Sequence, residues 1–118
     1  MKFRPAILTL FLFVPILWLD IPKLLGAHPW WSIKVVLIGG PIGFVLATVL
    51  RRTSGKWPLI WFGLGLIVGF CAAYFGKQEF AASYGENQLA GQFWYFGWIA
   101  TSAALAAFAL TFFRVLAR

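Results

Sequence analysis

The chain has 118 residues, of which 62% are hydrophobic and 11% charged, with a mean hydropathy of +0.86. A soluble domain is about half apolar; here the excess falls in long runs without a period of 2 or 3.6, which would leave a soluble fold apolar on every side. The net charge of +7 raises nucleic acid as a partner, but the basic residues lie at the ends of apolar runs, not among exposed aromatics, so no phosphate-tracking groove is expected.

The remaining reading is an all-α membrane protein: one domain over 1–118, a bundle of four transmembrane helices with short loops. The spans are expected at about 5–22, 33–50, 57–75 and 93–113. In the first, the apolar run Pro5 to Leu19 follows Arg4 and precedes Asp20. As a helix it rises only about 22 Å, short of a hydrocarbon core of roughly 30 Å. Arg4 can snorkel at one end, and Ile21, Leu24 and Leu25 lengthen the other. Pro5 suits a first helical turn, and Pro15 is expected to kink the helix or end its regular part. A basic start before a short apolar run also resembles a secretory signal peptide. The cleavage context Leu25-Gly26-Ala27, however, has a bulky Leu where a small residue is required, so retention is expected.

Residues 20–32 read as an interfacial loop, with Pro22, Gly26, His28, Pro29, Trp30 and Trp31. The second span carries Gly39-Gly40-Pro41 and Gly43, where a break in backbone hydrogen bonding is expected, closed by packing. Arg51, Arg52 and Lys56 form a basic turn. The third span begins at Trp57, and residues 76–92 read as a polar loop. The fourth span is the longest and cleanest, and Arg114 and Arg118 close the chain.

Charge sets the orientation. With the N-terminus inside, Lys2, Arg4, Arg51, Arg52, Lys56, Arg114 and Arg118 are cytoplasmic and no acid accompanies them. Lys23, Lys34 and Lys77 face the other side with Asp20, Glu79 and Glu86. That asymmetry over short loops predicts both termini inside, and short loops suit a bacterial inner membrane.

Helix packing in lipid relies on small residues at helical spacing. Gly39 and Gly43, Gly65 and Gly69, and Gly97 with Ala100 and Ala104 supply them, so the second, third and fourth spans are expected to pack along these faces. Phe70, Phe108 and Leu110 are expected to face lipid or a partner. Cys71, among small neighbours, reads as a buried packing residue. Trp30, Trp31, Trp57, Trp61, Trp94 and Trp98 read as interface anchors.

The spans hold no Asp, Glu, Lys, Arg or His between their boundary residues. Small four-helix multidrug exporters share this size but depend on a buried first-helix glutamate, which Asp20 is too near the boundary to replace. The run Gly39-Gly40-Pro41-Ile42-Gly43 through Arg51-Arg52 resembles small dimeric fluoride channels over that short stretch. Their second-helix asparagine and third-helix Phe–Thr/Ser motif have no counterpart here. His28 is the one candidate ligand, for an axial haem or chlorophyll or as a pH sensor. With no second histidine and one cysteine, no metal or other cofactor is expected.

No catalytic constellation is present, and no enzyme is expected. Two readings follow. One is a non-catalytic subunit, scaffold or assembly factor of a larger membrane complex, such as a respiratory, photosynthetic or transport assembly. The other is a small homo-oligomeric channel or transporter with its pathway near the Gly39–Pro41 break. The expected partners are the lipid bilayer and other membrane subunits or a second copy.

Overall fold

A computed structural model describes residues 4–50 and 56–117. Regular structure among them is helical throughout: α1 (Arg4–Trp18), α2 (Ile21–Leu24), α3 (Ser32–Val49), α4 (Trp57–Ala82) and α5 (Gln88–Ala117). Three helices are long and apolar enough to cross a membrane, Ser32–Val49, Trp57–Ala82 and Gln88–Leu116, while Arg4–Trp18 is a shorter apolar helix. The protein is therefore an α-helical membrane protein with three span-length helices and one short companion.

The helix ends follow from local chemistry. Pro15 lies inside α1 without ending it; it only removes the hydrogen bond that an N–H there would give to the Phe11 carbonyl. Asp20, with φ 50°, is left-handed and separates α1 from α2. The expected 5–22 span is thus two helices with a sharp joint.

The expected polar loop at 76–92 is corrected to residues 83–87, because α4 and α5 continue into polar sequence on either side. Lys77, Gln78, Glu79 and Gln88 favour helix well enough to extend it. At the end of α4, the Gly85 N–H donates to the Phe80 carbonyl (2.9 Å) and the Tyr84 N–H to Ala81 (3.1 Å), with Tyr84 left-handed at φ 57°. This is a Schellman ending, which normally takes glycine at the Tyr84 position. Asn87 then caps α5, its Oδ1 accepting from the Ala90 N–H at 3.1 Å.

α5 is the centre of the bundle. α3 and α4 both pack on it, and α1 rests on it more lightly. Ile99, Ala103, Ala106 and Leu110 share one face of α5, whereas Gly97, Thr101, Ala104 and Phe108 share the opposite one. α3 takes the first face and α4 the second, giving a slab 50 × 28 × 17 Å. The second and third spans each lay their glycine face on α5, the fourth, which stands between them.

The seams are made at backbone distance. A Cβ at Gly39 would lie 2.6 Å from the Ile99 carbonyl oxygen, and one at Gly43 2.7 Å from Ala106 Cβ and 2.9 Å from the Ala107 nitrogen. Across the other seam, a Cβ at Gly97 would lie 2.6 Å from the Ala73 nitrogen and one at Gly76 2.5 Å from that of Trp94. Only glycine permits such approach. α3 runs unbroken through Gly39-Gly40-Pro41, so the expected break is a continuous helix. Leu110, expected outside, is buried at 1% exposure beside Ala47 and Ala107.

Ala6 of α1 packs on that same Ala47–Ala107–Leu110 cluster. At the other end, the Gly26 carbonyl after α2 accepts from Trp94 Nε1 at 3.0 Å. The α1–α2 segment therefore runs antiparallel to α5 from the level of Leu110 to that of Trp94, about 24 Å of helix axis.

Candidate functional site

Polar and aromatic side chains concentrate at the end of the slab where α2 meets α5. Gly26 (φ 117°) adopts a backbone that suits glycine, and this turns its carbonyl toward the Trp94 indole. His28 follows, half-buried among tryptophans. Its ring lies 5.3 Å from Trp30 and 5.7 Å from Trp94, both edge-on, and 6.0 Å from Trp31 at 26° between planes. Trp31 in turn meets Trp94 and Tyr95 edge-on, each at 5.1 Å, and Phe80 of α4 lies 5.7 Å from Trp94. These contacts clasp the α2–α3 loop onto α5 and α4, and edge-to-face pairs of this kind add modestly to the area they bury.

The histidine nitrogens are already assigned by this geometry. Nδ1 accepts from the Trp30 N–H at 3.1 Å, so the neutral ring carries its proton on Nε2. Axial ligation through Nε2 needs the other tautomer. Among the described residues, no three His, Cys, Asp or Glu side chains stand close enough to hold a metal ion. His28 is placed as an aromatic wedge with one backbone hydrogen bond.

Asp20, read in the sequence as a boundary acid, has a specific partner that the sequence did not indicate. Its Oδ2 accepts from the Ser32 hydroxyl at 2.9 Å, tying the end of α1 to the first residue of α3. Ser32 is fully buried, and Asp20 Oδ1 is buried without a protein partner. The twelve-residue separation carried no periodic signal.

The remaining expected residues fall into two groups. Gly39, Gly43, Gly69 and Gly97 lie in the α5 seams, whereas Gly65 meets Ala104 only at an ordinary 3.6 Å. Ala104 is buried in the α4 seam; Ala100 is exposed, with only its backbone near Gly69. Trp30, Trp57 and Trp61 are exposed as anchors would be, and Trp31 and Trp94 are part of the clasp. Trp98 is corrected from an anchor to a core residue at 5% exposure, with Phe70 edge-on at 5.7 Å. Cys71, expected inside, is exposed, because it lies on the side of α4 away from the Gly69–Ala73–Gly76 seam.

At the opposite end, Arg114 Nη1 donates to the Ala47 carbonyl at 2.9 Å. That oxygen belongs to the last turn of α3, where cations are favoured. Lys56 precedes α4 and is exposed. Arg51, Arg52 and Arg118 lie outside the described residues.

The class these features define is a multi-helix integral membrane protein. Compared with known families, curated proteins and solved structures, the chain matches none.

Proposed function

We propose that the chain is a non-catalytic integral membrane subunit, a scaffold or assembly element of a larger membrane complex. In this reading it crosses a bacterial inner membrane four times with both termini cytoplasmic. The observation that carries it is the one-sided use of α3 and α4. Each spends its glycine face on α5 and turns large apolar residues outward, among them Leu37, Val45, Ile60, Leu64, Ile67 and Val68. Long helices packed mainly along one face offer broad surface for other transmembrane helices.

The interior supports the same reading. The Thr101 hydroxyl is spent on the Gly97 carbonyl (2.7 Å) and that of Thr9 on Pro5 (2.8 Å), so both buried threonines close on their own helices. The alternative, a small homo-oligomeric channel or transporter with its pathway near the Gly39–Pro41 break, has less support because α3 is continuous there. The 24 Å reach of α1 and α2 along α5 supports a fourth crossing, and Arg4, Lys56 and Arg114, the described basic residues at one end of the slab, support the inside assignment.

The test is gentle solubilisation of an epitope-tagged chain, native electrophoresis, and mass spectrometry of what migrates with it. Stoichiometric larger membrane subunits are the expected result. A homo-oligomer without partners would overturn the reading.

A further inference from the structure

The slab has an uncovered groove. α5 forms its floor through Trp98, Thr101, Ser102 and Leu105, α1 and α2 form one wall, and Leu66, Ile67, Phe70 and Cys71 of α4 form the other. The cavity holds about 370 Å³ and its lining is apolar apart from two hydroxyls and the thiol. A second, smaller cavity of about 70 Å³ shares Leu25, Phe70 and Trp98 with it and is bounded by Gly26, Tyr74, Lys77 and Gln78. The groove therefore has an apolar trunk and a polar mouth, and the mouth holds a cation, an amide and a phenol without an acid. Glu79, the nearest acid in sequence, lines a different groove on α4.

We propose that this groove binds one anionic phospholipid, an acyl chain lying along the trunk and the phosphate at Lys77. Two observations support that occupant. From Leu66 to Lys77 is about 16 Å along α4, the depth of one leaflet of a hydrocarbon core roughly 30 Å thick. The Lys77 ammonium lies against Gly26, 3.4 Å from where a Cβ would stand, and among the described residues it makes no ion pair. Its positive charge thus faces the mouth unneutralised. Phosphate is the complement, and a zwitterionic head would bring its own cation to the same place.

The joint at Asp20 makes the groove. Because α2 leaves the line of α1 there, Ile21, Pro22 and Leu25 form the upper wall beside the mouth. A straight helix would carry those residues on past it.

The experiment is native mass spectrometry of the full chain in detergent with equimolar phosphatidylglycerol and phosphatidylcholine of identical chains. One retained lipid per chain, with the anionic one preferred about fivefold, is the expected result for one basic contact. Lys77→Gln should abolish the preference, while Lys34→Gln, at the start of α3, should leave it. Cys71→Phe, an exposed change that fills the trunk, should lower retention of both lipids severalfold at unchanged helicity and melting temperature. Equal binding of the two lipids, a preference that survives Lys77→Gln, or retention unaffected by Cys71→Phe would each overturn the proposal. So would a lipid-free dimer, which would make a second copy the occupant. If Cys71→Phe fails to fold, Ile67→Trp on the same wall serves the same purpose.

Discussion

Gly43→Ala gives the most direct reading of the backbone-contact seam. The added methyl would stand 2.7 Å from Ala106 Cβ and 2.9 Å from the Ala107 nitrogen, with the Ala103 carbonyl oxygen also in its way. Carbon atoms settle about 3.5–4.0 Å apart, so α3 must retreat by about 1 Å, and such a gap forfeits a quarter to a half of each neighbouring contact. None of the three obstacles is a flexible side-chain tip, so no rotamer change relieves the clash. Overpacking of this type costs about 1–3 kcal/mol, against about 1 kcal/mol gained by replacing a helical glycine with alanine.

Gly65→Ala is the matched control. Its methyl meets only Ala104 Cβ, at 3.6 Å, so the propensity gain of up to about 1 kcal/mol stands almost alone. Equilibrium unfolding in mixed micelles, followed by far-ultraviolet circular dichroism, should place the two variants on opposite sides of the wild type. Equal stabilities would refute the reasoning, because they would mean that α3 and α5 are not at backbone distance.

Four further outcomes follow. Leu110→Ala should cost about 2–5 kcal/mol in the same unfolding assay, because Leu110 is buried where α1, α3 and α5 converge; a surface-like effect would contradict that placement. Ser32→Ala should cost about 1–3 kcal/mol by leaving Asp20 without its hydroxyl donor, and in a double-mutant cycle Asp20→Ala should remove most of that cost. Arg114→Gln should destabilise by about 1.5 kcal/mol through the lost charge-assisted bond to the Ala47 carbonyl, with Arg114→Lys recovering part of it. Tyr84→Gly should raise the melting temperature slightly, since Tyr84 is 96% exposed and left-handed, a conformation costing an L-residue about 1 kcal/mol; a lower melting temperature would show that the phenol makes a contact worth more.

The sequence made a helix legible where a long apolar run carried its own ends, as in α3, whereas for α4 only the start at Trp57 was legible. It could not show that α5 is the hub, because small residues at four-residue spacing occur on all three long helices and the spacing does not say which helix receives which. Gly39 and Gly65 look alike in sequence, yet one sits at backbone distance from α5 and the other does not. Trp98 shows the same limit. Its spacing from Trp94 suggested a belt, but one helical turn of depth and a neighbouring Phe70 put it in the core. The polar stretches flanking the α4–α5 turn were misread for another reason: polarity ends a transmembrane run but does not end a helix, and only the Tyr84–Gly85 cap does that. Asp20–Ser32 was invisible because a single hydrogen bond between loop-end residues leaves no periodic trace.

The joint between α1 and α2 decides whether the short first helix belongs at membrane depth. In hydrocarbon each unsatisfied backbone group costs several kcal/mol, so an interrupted helix is tolerated only if its freed donors find acceptors in the protein. Here they do. The Leu24 N–H donates to the Asp20 carbonyl (3.3 Å), Leu25 to Ile21 (3.0 Å), Gly26 to Lys23 (3.2 Å) and Ala27 to Pro22 (2.8 Å), while Pro22 has no N–H to satisfy. The Asp20 carboxylate accepts from Ser32 through Oδ2 alone, its Oδ1 being buried without a protein partner, and the Gly26 carbonyl accepts from Trp94. Internal bonding through the last turn of α2 keeps α1 and α2 alongside α5, and together they enclose the groove with α4.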